Sequence, residues 1–274
     1  MSSVTNSGTQ RTLYQRFKKH RRRRVKRAGK WVMRRFSNFV GRQSLVPDTP
    51  VLRNEDFPIL KTFEQDWETI RAEVEEILKH REAVPLFHEV SKDQKRISKG
   101  DNWRTFVLYG FGQPATKNIK QAPHTAKLLS EVPNLQSAWF SILAPGYHIP
   151  PHRGLSKGFL TCHLGLIVPT DAENCTLRVD DQVCVWREGK TFIFDDTSEH
   201  EVLNNTDEER VVLLFHVDRP MRFWGRVFAK SFLKAMKLTA YYQETTKNAL
   251  SAEDRFEAAV RRAGQNLENM SEPS

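Results

Sequence analysis

The 274-residue chain predicts a mainly β domain, an antiparallel sandwich or barrel, with flanking helices and a basic N-terminal tail. Three observations predict it. From about residue 103 to 218, short runs rich in Val, Ile, Phe and Leu alternate with turn residues, the pattern of antiparallel sandwiches and barrels. On both sides of that region, apolar residues recur at helical spacing. At the start, residues 1–46 hold fourteen Lys and Arg and no Asp or Glu.

The tail comes first. In "RFKKHRRRRVKRAGKWVMRRFSNFVGRQ" (16–43), Val25, Ala28, Val32, Phe36, Phe39 and Val40 follow a helical period, with Arg and Lys on the other face. A basic amphipathic helix suits attachment to an anionic membrane. A nucleic-acid arm, a mitochondrial presequence and a solubilising tail are the other readings. The net charge of +10 belongs to this segment: the rest of the chain has 29 basic and 33 acidic residues, a net of −4. Nucleic-acid binding by the whole protein is therefore disfavoured.

A Pro-rich linker, "LVPDTPVLRNEDFPIL" (45–60), leads to a predicted helix over 63–82, where Phe63, Trp67, Ile70, Val74, Ile77 and Leu78 form one stripe. The strands follow as "RTFVLYGFG", "QSAWFSILAPG", "GFLTCHLGLIVP", "CTLRVDDQVCVW", "KTFIFDD", "EHEVL" and "RVVLLFHVD". After Pro220 the helical period returns in "FWGRVFAKSFLKAMKL" (223–238), basic and aromatic, and 250–266 reads as a charged helix or tail. The expected division is a tail over 1–46, the β domain with its N-terminal helix over 47–222, and a C-terminal helical extension over 223–274. Cys162, Cys175 and Cys184 have no CxxC spacing, so neither a disulfide framework nor a zinc ribbon is expected, and a reducing compartment fits. No run approaches the roughly 20 apolar residues of a membrane span. The N-terminus has no signal-peptide core. The expected location is cytoplasmic, peripheral at the inner face of a membrane.

Candidate chemistry gathers in "PGYHIPPHRG" (145–154) and "FDDTSEHEV" (194–202). Pro150 and Pro151 rule out a helix that would pair His148 with His152. His152, after a strand and a Pro-rich turn, has a possible partner in His200, which a β-sandwich would have to bring across forty-eight residues. Two neutral imidazoles suit a mid-row transition metal such as Fe(II). The carboxylate of a facial triad would fall at position 154, which is Gly. Arg210 lies beyond the turn "NNTDEE", and a hairpin would fold it back towards the metal. Inside a barrel it needs an anion. His163 sits on a largely apolar strand and also needs a partner. His148 and His216 read first as core histidines, and most acids of "VDDQVCVWREGKTFIFDDT" as turn residues. No nucleophile elbow, P-loop or dinucleotide fingerprint occurs.

The ordered elements Pro-His-x-Gly, His-Leu-Gly-Leu, Trp-x-x-Gly-x-x-x-x-Phe-Asp-Asp, His-Glu-Val and Arg resemble the aspartyl/asparaginyl β-hydroxylase family of 2-oxoglutarate-dependent iron oxygenases, over about residues 55–220. The resemblance implies a double-stranded β-helix, a jelly-roll or cupin-like fold. It implies Fe(II), with 2-oxoglutarate and O2 as co-substrates. His152 and His200 would hold iron. Arg210 and Ser141 would grip the distal carboxylate of 2-oxoglutarate, His163 would meet its oxoacid end, and Trp103 would line the pocket. Family members often carry Arg two residues before the His-Leu-Gly-Leu histidine, where this chain has Thr161, so one oxoacid contact is lost or passes to water.

Two branches of the family are open for the substrate: Asp or Asn side chains in a peptide or free amino acid, and an acyl chain of lipid A. "FPILKTFEQDWETIRAEV", "VPNLQSAWFSILAPG" and "VDRPM" resemble the lipid branch. The basic-aromatic segment 219–237 also suits an anionic surface. The alternative class is a non-catalytic binding module on the same fold, membrane- or nucleic-acid-associated, against which His152, His200 and Arg210 stand intact.

Overall fold

In the computed structural model, residues 35–271 are described, Leu155 excepted. Helix α1 (35–42) precedes strand β1 (Val51–Leu52), α2 (Leu60–Gln65), α3 (Trp67–Leu78) and α4 (Phe87–Val90). Then come β2 (Trp103–Gly110), β3 (Gln113–Pro114), α5 (Pro123–Ser130), β4 (Ala138–Leu143), β5 (His148–His152) and β6 (Phe159–Ile167). β7 (Cys175–Val179), β8 (Gln182–Val185), β9 (Thr191–Phe194), β10 (His200–Asn204) and β11 (Arg210–Asp218) complete the strands, and α6 (Phe223–Lys237) and α7 (Ala240–Ser271) close the chain.

The strands form two antiparallel sheets, one of order β1-β9-β6-β11-β4-β2-β3, the other β5-β10-β7-β8. From β4 to β11 the chain winds between them, as in a jelly roll. Inward-facing Trp186, Val212, Leu214, Leu177 and Val202 pack between the sheets. The alternate residues of β11, Val211, Leu213 and Phe215, face the helices on the other side. There Phe63 stacks on Phe215 with centroids 4.4 Å apart.

Two local features differ from the sequence reading. The stripe over 63–82 is two helices, broken at Asp66, which stands between α2 and α3. The expected Pro-rich turn before His152 is an edge strand, where a proline without N–H removes no ladder bond. Helix α7, in the expected helical extension, packs on the domain: Phe256 is fully buried and meets Phe106 edge-on at 4.8 Å. The described residues before residue 46 are packed on the rest of the chain. α1 lies on α6 through Phe36–Phe232 and Phe39–Phe228, each 5.0 Å, and Leu45 N donates to Pro220 O at 2.8 Å. Gly225 permits this, since a Cβ there would stand 2.5 Å from Gln43 Cβ. The part of the tail helix before residue 35 lies outside the described residues.

A buried ion pair ties the end of β11 to β9. Arg219 Nη2 donates to Asp195 Oδ2 at 2.5 Å, and Lys157 Nζ donates to the same oxygen at 2.9 Å. Burial would raise the Asp195 carboxyl, but Arg219, Thr197 and Lys157 outweigh it and hold the group below its ordinary value. Its stabilising contribution is therefore complete above the ordinary carboxylate pKa and is lost as pH falls through the lowered one. Arg219→Ala is expected to cost about 3–5 kcal/mol, because it strips the main partner from a buried carboxylate. Urea unfolding at neutral pH reads this, and an unchanged midpoint would remove the pair from the list of stabilising contacts.

Candidate functional site

His152 on β5 and His200 on β10 are direct cross-strand partners in the smaller sheet. Their ring centroids are 4.1 Å apart. Each Nδ1 lies against a carbonyl two residues back, Pro150 O at 2.9 Å and Ser198 O at 3.0 Å. A carbonyl only accepts, so each Nδ1 carries the proton and each Nε2 keeps its lone pair. Burial, then the neighbouring His200, brings His152 down to about 4, and burial lowers His200. Both rings are neutral at pH 7, as metal ligands must be. Among the described residues there is no group of three or more His, Cys, Asp or Glu that could hold a metal ion. Two imidazoles leave most positions of an octahedral ion to other ligands.

The absent acid at position 154 has a structural counterpart. A Cβ on Gly154 would stand 2.1 Å from Asp196 Oδ2, so that carboxyl fills the space. Gly154 N also donates to Asp196 O at 2.6 Å. Burial, then Asp195, pushes the Asp196 carboxyl up to about 8, so it keeps its proton at neutral pH. Asp196 lines the cavity with both histidines. Asp180, Asp181 and Asp196 lie in turns, as read from the sequence, but Asp196 also belongs to the site, and Asp195, just after β9, is buried in its ion pair.

Opposite, on the larger sheet, register stacks the remaining residues in rows. Arg210 pairs with Leu143 and Leu143 with Trp103. Val212 pairs with Ser141 and Ser141 with Thr105, and Leu214 pairs with both Trp139 and His163. Arg210 is 1% exposed, yet none of the ion pairs or hydrogen bonds among the described residues includes its side chain. Its Cζ lies 4.7 Å from the Trp186 ring centroid. Burial lowers it to about 10, which leaves it cationic at pH 7. A buried unpaired cation is costly unless an anion arrives. Ser141 Oγ accepts from Trp103 Nε1 at 3.0 Å, which leaves its own hydroxyl hydrogen free to donate. Trp103 is held by stacking on Phe87, 4.0 Å between centroids. Trp186 Nε1 donates to His163 Nδ1 at 3.3 Å, so the His163 proton sits on Nε2, which has no partner. Burial holds His163 far below its ordinary value and neutral.

His152, His200, Asp196, Arg210, Ser141, Trp103 and His163 line one cavity of about 520 Å³. Thr161 and His216 face each other across β6 and β11, and Thr161 Oγ1 and His216 Nδ1 are also buried without partners. So many unmatched polar atoms around one space mark a ligand site. Beyond them the wall turns apolar, with Phe159, Phe232, Leu233 and Leu250. The expected roles bring together His152, His200, Arg210, Ser141, His163 and Trp103. The expected hairpin is corrected, since β10 and β11 lie in different sheets and Arg210 faces the histidines across the sandwich. His216 is a cavity residue, and His148 is an exposed residue bonded to Glu201 at 2.7 Å. Sequence reasoning missed Asp196, although the Phe-Asp-Asp element contained it.

A family model described as aspartyl/asparaginyl β-hydroxylase matches residues 64–220. The chain is 41% identical over 209 residues to the ornithine lipid ester-linked acyl 2-hydroxylase of Rhizobium tropici, covering 76% of this chain and 74% of that one. It is 34% identical over 167 residues to human aspartyl/asparaginyl β-hydroxylase, covering 59% of this chain and 21% of the human one. It is 30% identical over 187 residues to aspartate β-hydroxylase domain-containing protein 2 of Xenopus tropicalis, covering 63% and 48% respectively.

Proposed function

Because the chain belongs to the aspartyl/asparaginyl β-hydroxylase family, whose members are hydroxylases, we propose that it is an Fe(II)- and 2-oxoglutarate-dependent dioxygenase acting on a lipid acyl chain. The observation that carries the cofactor reading is the cavity's polar end: a buried guanidinium with no anion partner, facing two imidazoles with free Nε2 lone pairs. A dicarboxylic oxoacid fits that arrangement, one carboxylate on Arg210 and the rest directed to a metal.

His152 and His200 would hold the iron through Nε2. Bound there, iron with 2-oxoglutarate and O2 supplies hydroxylation of a C–H bond coupled to decarboxylation of the oxoacid to succinate. The chain's own residues do the positioning. Arg210 grips the distal carboxylate through its fork, Ser141 donates to the same group, and Trp103 orients Ser141. His163 Nε2–H donates to the oxoacid end. Thr161, at the position where family members often carry arginine, and His216 beside it supply further unpartnered polar atoms. The apolar wall excludes water from the oxidising centre.

The substrate reading rests on the apolar outer wall and on the relative named for an ornithine lipid. An acyl chain ester-linked to an amino-acid lipid therefore replaces lipid A as the favoured carrier, with the carbon next to the ester as the site of attack. The expected result is a +16 mass shift on acyl chains in lipid extracts of cells that express the protein, absent when His152 is replaced. Unmodified lipids together with +16 on Asp or Asn of peptides would move the enzyme to the peptide branch. No shift in any fraction, with no succinate formed, would favour the binding module.

A further inference from the structure

We propose that the outer face of α6, with the end of α1 beside it, docks on an anionic lipid bilayer and places the cavity mouth at the membrane. The docking surface does not depend on the lipid-substrate reading, but its purpose rests on that reading. On α6, Phe223 and Trp224 are 60% and 61% exposed, Phe228 45% and Val227 39%. These positions lie on one side of the helix. Phe39 of α1 extends the patch through its contact with Phe228. Exposed aromatics grouped this way mark an interaction surface. Trp and Phe beside cations suit the headgroup boundary, where apolar rings sink in and the charged ends of Arg and Lys remain with phosphate.

Charge decides which partner covers the face. α6 contains Arg226, Lys230, Lys234 and Lys237 and no acid, and Arg222 immediately precedes it. A second copy would set two cationic faces against each other. Residues 1–34 carry twelve Lys and Arg and no acid, so they too are like-charged. An anionic phospholipid surface has the matching sign and accepts the rings. Among the described residues, no helix is long and apolar enough to cross a membrane, so contact through α6 is peripheral.

The same helix has a second face. Phe232, Leu233 and Lys237 line the cavity that holds His152 and His200. A chain leaving the bilayer along α6 would enter the cavity between apolar walls without crossing water. No other element combines an exposed aromatic cluster with part of the cavity lining among the described residues.

The test uses the full-length protein and vesicles of phosphatidylglycerol or phosphatidylcholine. Wild type should bind the phosphatidylglycerol vesicles, less so with added salt, and bind phosphatidylcholine poorly. Trp224→Ser with Phe228→Ser should weaken binding at least about tenfold, since two rings no longer leave water. Brominated phosphatidylglycerol should quench wild-type fluorescence more than that of Trp224→Phe, which isolates the ring at 224 from other tryptophans. On a short-chain acyl lipid dispersed in detergent, the double variant should keep wild-type turnover. Equal vesicle binding by wild type and the double variant would overturn the proposal. So would quenching independent of Trp224, loss of a dimer in the double variant, or Trp224- and Phe228-dependent binding to duplex DNA in place of vesicles. If wild type hydroxylates no acyl lipid even in detergent, the substrate reading fails, and vesicle binding and quenching still decide the surface.

Discussion

His152→Ala and His200→Ala are each expected to abolish O2-dependent succinate formation from 2-oxoglutarate. Either change removes one of two imidazoles, and among the described residues no group of three or more His, Cys, Asp or Glu is there to compensate. Loss of a supporting residue around a metal commonly costs 10- to 100-fold, and loss of a ligand from a two-ligand set should cost more than about 100-fold in Fe(II) affinity. Folding should not suffer. Both rings are buried, and their hydrogen bonds to Pro150 O and Ser198 O are local, so removing a ring deletes chiefly these bonds and the ring contacts between the two histidines and of His200 with Phe194. Thermal melting of the metal-free variants should therefore match that of the metal-free wild type. Fe(II) titration then separates a lost ligand from a lost fold. Full turnover in either variant would place the metal elsewhere, and His216 would be the first side chain to replace, being in the same cavity.

Arg210→Ala should sharply raise the 2-oxoglutarate concentration needed for turnover while Fe(II) binding stays close to wild type. A charge-assisted contact in a dry pocket is worth roughly 2–5 kcal/mol when one partner is removed. Arg210→Lys should recover only part, because an ammonium cannot form the planar fork. Stability provides an independent sign. A buried arginine that served the fold would be paired within it, and among the described residues this side chain has the face of Trp186 and no ion pair or hydrogen bond. Without co-substrate, Arg210→Ala should melt at or above the wild-type temperature, since an unpaired cation has left the interior. Added 2-oxoglutarate should raise the melting temperature of wild type and leave the variant unmoved. An unchanged oxoacid requirement in Arg210→Ala would sink the assignment.

Much of the fold was legible because it is local. Alternation in "RVVLLFHVD" and "FLTCHLGLI" sends one set of side chains to each face, and two layers must cover those faces. The helical stripe of Ile70, Val74 and Ile77 announced one cover of the larger sheet. Other parts were hidden for specific reasons. A proline pair reads as a turn unless its strand lies at a sheet edge, and edge position is a property of the assembled sheet. Phe256 sits in a charged stretch, and only its landing place on Phe106 makes it core. Asp195 and Asp196 are adjacent and chemically identical, yet one is paired with Arg219 and the other fills the space beside Gly154.

The sequence by itself determined the residue types of the site, the β class of the domain and the acid-free charge of its first segment. It also carried the ordered elements of the family, because these depend on which residues occur and how far apart. The tertiary structure decided that His152 and His200 are cross-strand neighbours and that Arg210 faces them from the other sheet. It decided that the Asp196 carboxyl fills the space beside Gly154, and that α6 turns aromatic rings outward while lining the cavity. The physical reason is pairing. Whether a buried polar atom has a partner, or an apolar ring a cover, depends on chain segments tens of residues away, and only the folded molecule brings those segments into contact.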